Sequence, residues 1–157
     1  MATATVDWPV DDLSPSVVER ATAVVLDPSR YRPFPEVAAV LAELRAARVP
    51  VGIVSNFDDF LFEILRETGL DAQFPVVVTS YREGVCKPDP TIFQPALDAL
   101  GSDRAVSYFV GDSVHSDMGG AKRAGLHGVL VDREGVHEGY RGTRIGSLLE
   151  LTALLGL

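Results

Sequence analysis

From Arg45 onward, short apolar runs rich in β-branched residues alternate with longer segments whose apolar residues fall at helical spacing. That alternation leaves few folds open. A strand that returns parallel to its neighbour needs a long crossover, and a helix supplies one, so the pattern predicts a parallel sheet with helices packed on its faces. Strands are predicted at 49–55, 75–80, 106–111 and 128–131, and helices at 36–47, 59–68, 91–100, 117–124 and 147–155. In the first helix Val37, Val40, Leu41 and Leu44 recur at three- and four-residue steps, which places them on one buried stripe. The chain has 157 residues, enough for one core and too few for two. No repeat, low-complexity tract or linker divides it. The expected organisation is an N-terminal arm with a helical segment over 1–33, followed by a single α/β domain over 34–157.

Charge and composition narrow the function classes. The formal net charge is −8 and the basic residues are dispersed, so no clustered cationic face is available for nucleic-acid phosphates. No apolar run approaches the ~20 residues of a membrane-spanning helix. Cys86 is the single cysteine, which rules out an internal disulfide. The first residues, MATATVDWPVDD, lack the basic start and apolar centre of a secretory signal, so a cytoplasmic location is expected.

In open parallel sheets, ligands bind beyond the carboxyl ends of the strands, so the residues that end each run are the place to look for chemistry. The run VGIVSN ends in Ser55 and Asn56, which can hold an anionic oxygen or cap the helix predicted to begin near Asp59. In GVCKPDPTIF, Lys87 stands between a glycine and two prolines, a cation on a stiffened loop. In SYFVGDSVHSD an apolar strand delivers Asp112 at its tip and Asp117 opens the next helix, with Gly111 permitting a sharp turn. Two carboxylates on one loop suit Mg²⁺, which takes one or two of them together with waters and a substrate phosphate. Asp117 also complements the helix dipole. His115 lies between the two and reads as a solvated loop histidine. Cys86 reads as a packed or idle thiol, although the neighbouring cation favours thiolate.

Taken in order, IVSN with Ser55 and Asn56, CKPDPTIF with Lys87, and FVGDSVHSDMGGAKRAG with Asp112 and Asp117 resemble the second, third and fourth signature motifs of the haloacid dehalogenase-like hydrolases. The phrases SNFDD, GLDAQF and AGLHGVLVD are similar to the subgroup that carries a helical cap. The resemblance covers residues 34–133. It implies a reduced Rossmann-like core of about four parallel strands with a cap remnant at the N-terminus. It also implies site roles: Ser55 and Asn56 would hydrogen-bond a phosphoryl group, Lys87 would neutralise it and orient the nucleophile, and Asp112 with Asp117 would hold Mg²⁺ directly or through water. The implied ligand is a small anionic molecule, with positional and electrostatic catalysis of the kind phosphoryl transfer uses.

That family has an earlier motif too, an apolar strand ending in Asp-x-Asp, whose first aspartate is the nucleophile. The sequence contains no Asp-x-Asp; Asp11 and Asp12 are adjacent, and in AVVLDPS the partner position of Asp27 is Ser29. Residues 13–27 read preferentially as a helix, with Ser14 as cap, Pro15 in the first turn and Leu13, Val17, Ala21 and Val24 on one face. Such a helix resembles the end of the family's cap, with DPSRYRPFPEV returning to the core. The alternative is a strand over 22–26, which would bring Asp27 near the nucleophile position. With the helix, the family's central strand is missing between the strands ending at Ser55 and Gly111. Those two strands would then pair directly, take in residues 22–26, or borrow a segment from another copy and form a homo-oligomer. The expected function is a hydrolase-type protein resembling a Mg²⁺-dependent phosphomonoester phosphatase without its usual nucleophile, degenerate or repurposed. The alternatives are a non-hydrolytic binding or assembly protein, changed chemistry on the retained site, for example in a biosynthetic pathway, or a truncated form that needs an N-terminal piece in trans.

Overall fold

The computed structural model describes residue 22 and residues 26–157. In chain order the elements are α1 Val37–Ala46, β1 Gly52–Ser55, α2 Phe60–Glu67, β2 Val76–Thr79, α3 Ser80–Glu83, α4 Gln94–Leu100, β3 Tyr108–Gly111, α5 Gly119–Ala124, β4 His127–Val131, β5 Thr143–Ile145 and α6 Leu149–Leu154. The helical stripe of α1 is realised with Val40 and Leu44 buried one turn apart. The predicted first strand starts late because Val49 is still engaged by the helix before it, donating its N–H to the Leu44 carbonyl at 2.9 Å. The third starts late for a similar reason: Asp103 accepts the Ala105 N–H and folds Arg104–Val106 into a 3-10 turn. Ser80, expected to end a strand, opens α3 instead, with Thr79 as its cap.

Every strand pairing is parallel, as the alternation requires, and the fold is mixed α/β. The strands form two sheets rather than one: β1 pairs with β2, and β4 lies between β3 and β5. Direct pairing of β1 with β3 is therefore not the way this chain closes its sheet, and no strand lies between them among the described residues. β5 escaped the sequence reading because it is only three residues long, Thr-Arg-Ile, and contributes one buried side chain. Strand burial is uneven in a telling way. Val78 and Thr79 of β2 and Val129 and Leu130 of β4 are buried, whereas β1 and β3 contain no fully buried residue.

The two sheets share a core. Val78, Ile92, Phe93, Ala96 and Ala124 form one buried cluster, against which Val54 of β1 and Phe109 of β3 both pack. Phe93 meets Phe109 edge to face with centroids 4.9 Å apart, a favoured aromatic geometry. A second cluster of Val129, Ile145 and Leu151 joins β4, β5 and α6.

The N-terminal reading can be checked only at its end. The Leu26 N–H donates to the Thr22 carbonyl at 2.8 Å, the four-residue step of an α-helix, while residues 23–25 of the alternative strand lie outside the described residues. The remainder of the expected helix, from Leu13 to Ala21 with Val24, lies outside the described residues, as do Asp11 and Asp12. No helix among the described residues is long and apolar enough to cross a membrane.

Candidate functional site

The exits of β1 and β3, the kind of strand end at which ligands are met in such folds, are bridged by one side chain. Lys87 reaches across this region. Its Nζ donates to the Val54 carbonyl of β1 at 2.8 Å and forms an ion pair with Asp117 Oδ1 at 2.9 Å, beyond the end of β3. It also lies 4.8 Å from the centroid of the Phe109 ring, a cation–π contact. The side chains of the pair are only 9% and 7% exposed. Two opposite charges this deeply buried are tolerable only when each is well supplied with partners. An ammonium has three N–H donors, and two have acceptors among the described residues, which leaves one for a ligand.

Asp117 is supplied just as fully. Its Oδ2 accepts the backbone N–H of Asp112 at 3.0 Å and that of Ser113 at 2.9 Å, so the loop after β3 closes around the carboxylate. The aspartate lies inside a π-helical turn, Val114–Met118, that precedes α5; this wider turn, capped by Ser113, replaces the expected helix start. Gly111 makes the closure possible, since a Cβ there would stand 2.4 Å from Asp117 Oδ2. The glycine is required by this close approach. Asp112, by contrast, is exposed and its carboxylate has no hydrogen bond among the described residues.

Asn56 and Ser55 divide. The Asn56 amide is engaged by the backbone of Lys87, Oδ1 accepting its N–H at 2.7 Å and Nδ2 donating to its carbonyl at 2.9 Å. The Ser55 hydroxyl, at the end of β1, has no partner among the described residues. Beside them, an open groove of about 800 Å³ is lined by Asn56, Phe57, Asp58, Tyr81, Cys86 and Asp89 among others. Cys86 is exposed on this wall, and His115 is exposed on the loop that holds Asp117.

Asp27 is not part of the cluster. Its Oδ1 accepts the N–H and hydroxyl of Ser29 at 3.0 and 2.6 Å, and its Oδ2 meets Arg30 Nε at 3.3 Å, capping the 3-10 turn Pro28–Arg30. These bonds, that of the Ser29 side chain first, hold its carboxyl below the ordinary value, so it is ionised. No hydrogen bond or ion pair joins it to Lys87, Asn56, Asp112 or Asp117. The structure thus brings together Asn56, Lys87, Asp112 and Asp117, with Ser55 at the adjoining strand end, and leaves Asp27 to its own turn.

The donor set can be weighed against Mg²⁺. Among the described residues no group of three or more His, Cys, Asp or Glu forms a metal cage. Mg²⁺ does not need one, because it is commonly held by one or two carboxylates while waters and substrate phosphate complete its octahedron. Asp112 offers an open carboxylate, and Asp117 anchors the loop that presents it while its Oδ1, bonded only to Lys87 among the described residues, keeps a lone pair. The residues fit a largely hydrated ion held through Asp112.

A buried carboxylate went unrecognised in the sequence. Asp132 follows β4 and accepts N–H groups from Val136 at 2.9 Å and His137 at 3.1 Å and the Arg144 guanidinium at 3.0 Å. The signal was there, an apolar run ending in aspartate as in FVGD, but its partners lie on the following loop and on β5.

The family description "haloacid dehalogenase-like hydrolase" matches residues 2–125. The chain is 38% identical over 104 residues to haloacid dehalogenase-like hydrolase domain-containing protein 3 of Bos taurus, covering 66% of this chain and 41% of the relative. It is 37% identical over 116 residues to a phosphoserine phosphatase of Thermus thermophilus, covering 73% of this chain and 47% of that one. It therefore spans less than half the length of these relatives. Among solved structures, a HAD phosphatase from Thermococcus onnurineus superposes with a TM-score of 0.78 at 32% identity, covering 92% of this chain and 66% of that one. Matched over most of its length by the family description and by a phosphatase fold, and carrying the family's motif residues at its strand exits, the chain belongs to the haloacid dehalogenase-like hydrolases.

Proposed function

We propose that the chain binds a small phosphomonoester together with Mg²⁺ at the exits of β1 and β3, as the phosphoryl-holding core of a phosphatase. The observation that carries this reading is the Lys87 ammonium, fixed by Val54 and Asp117 with one N–H remaining. Lys87 would neutralise a phosphoryl oxygen, the Ser55 hydroxyl would donate to a second, and Asp112 would hold the metal. Bound there, Mg²⁺ supplies charge neutralisation for the phosphate. Preorganised donors of this kind act by stabilising charge where it develops, without rearrangement at the moment of reaction. The phosphoserine phosphatase among the relatives supports a phosphate ester as ligand.

Hydrolysis by covalent catalysis also needs a carboxylate nucleophile, which divides one hard displacement into two easier ones. Asp117 is held in its ion pair and Asp112 is the carboxylate this reading assigns to the metal, so neither fills that role. Phosphate binding is accordingly the primary activity, and turnover requires Asp27 to leave its turn or a carboxylate to arrive on another segment. Titration calorimetry with inorganic phosphate, with and without Mg²⁺, tests the first part. Binding should be strengthened by Mg²⁺ and weakened in Lys87→Met and Asp112→Asn; a wild-type protein that takes up no phosphate at millimolar concentration sinks the reading. Release of phosphate from an aryl phosphate tests the second, since turnover abolished by Asp27→Asn would make that residue the nucleophile.

A second reading concerns assembly. Among the described residues β1 and β3 each have a neighbour on one side only, and free strand edges invite pairing. A second copy that inserted an extended segment between them would give a homo-oligomer. Light scattering would return the mass of a monomer at all concentrations if this is wrong.

A further inference from the structure

We propose that Asn56 is a positioning residue which fixes Lys87 against the end of β1. Lys87 is tied to the end of β1 twice. Its backbone is gripped by Asn56 from both sides, N–H to Oδ1 at 2.7 Å and carbonyl to Nδ2 at 2.9 Å. Its side-chain tip returns to the carbonyl of Val54, two residues before Asn56. The orientation of the amide follows from its partner: turned over, Asn56 would set its N–H₂ against the Lys87 N–H and its oxygen against the Lys87 carbonyl. With the oxygen and one amide N–H engaged by a backbone 31 residues away, the side chain holds two loops in register. Lysine is a flexible four-carbon stem ending in a point charge, so the direction of its remaining N–H depends on where the backbone is held. The Ser55 hydroxyl and the second Asn56 amide N–H have no acceptor among the described residues.

The proposal rests on the phosphate-binding reading for its ligand, so its test begins without one. The chain has two lysines, Lys87 and Lys122, and Lys122 is exposed on α5, an internal reference for acetylation by a small amine-reactive reagent followed by mass spectrometry. In Asn56→Ala, acetylation of Lys87 relative to Lys122 should rise several-fold. In Asn56→Asp, which keeps the acceptor and loses the donor, the rise should be smaller, and Ser55→Ala should leave the ratio unchanged. Asn56→Asp also serves if Asn56→Ala does not fold, as judged by circular dichroism. In a double-mutant cycle on phosphate affinity, Asn56→Ala should cost about tenfold in the wild type and far less in Lys87→Met, as residues of one network behave, whereas Ser55→Ala should cost a similar factor in both. An unchanged Lys87 ratio in both Asn56 variants overturns the proposal, as does an Asn56→Ala loss of phosphate affinity equal in both backgrounds. A protein that binds no phosphate but shows the rise in acetylation removes the phosphate-binding reading and leaves the positioning role standing.

Discussion

At Gly111 and Asp117 a missing side chain and a buried charge depend on each other. The carboxylate folds back over the glycine to collect two backbone N–H groups, and a single methyl would occupy its place. Gly111→Ala is expected to destabilise by about 2 kcal/mol through overpacking, read as a lower urea midpoint. The ion pair across the exits is more sensitive. Removing Lys87 leaves Asp117 buried with only its backbone partners, and Lys87→Met is expected to cost about 3 kcal/mol, whereas replacing both residues should cost less than the sum of the single changes. Equal costs for the double variant and the sum would show that the pair is not coupled. Asp112 was legible because it ends an apolar run, Asp117 because it opens the next predicted helix, and Lys87 because a glycine and two prolines flank it. The engagement of Asn56 was not, because an amide at a strand exit looks the same whether it holds an anion or a backbone.

The elements β4, β5 and α1 are joined through two consecutive residues at the end of β4. Asp132 holds the loop to β5, and Arg133 pairs with Glu36 at 2.6 Å while lying 3.6 Å over the Phe34 ring, which ties the entry of α1 to the same edge. Burial pushes the Asp132 carboxyl up, and the His137 and Val136 N–H groups with Arg144 outweigh it, holding it below its usual 3.8. A lowered folded value means that this carboxylate's contribution to stability is complete above the ordinary value and is lost as pH falls through the lower one. The urea midpoint of the wild type should therefore fall more steeply below about pH 4 than that of Asp132→Asn; parallel curves would mean that Asp132 is not a source of the acid sensitivity. β5 itself was hidden from sequence patterning, since three residues with Arg144 in the middle show no strand period, and the arginine is explained only by the carboxylate it meets.

Across the whole molecule, the uneven burial of the strands predicts uneven protection. Amides of β4, covered on both edges, should exchange slowest, and the outer amides of β1 and β3 much faster, since sub-global opening follows local burial and pairing. If a second copy occupies the space between the sheets, protection of β1 and β3 should rise with protein concentration while that of β4 does not; protection independent of concentration argues for a monomer. The α/β class, the parallel sense of the strands, the first four strands and the residues at their exits followed from the sequence, because periodicity and the placement of polar residues after apolar runs are local properties of the chain. The division into two sheets, the Asn56 grip on Lys87 and the bond of the Lys87 ammonium to the Val54 carbonyl were decided by tertiary structure. Each depends on partners that only folding brings together, or on the nearest of several competing partners, and linear spacing carries no record of which one wins.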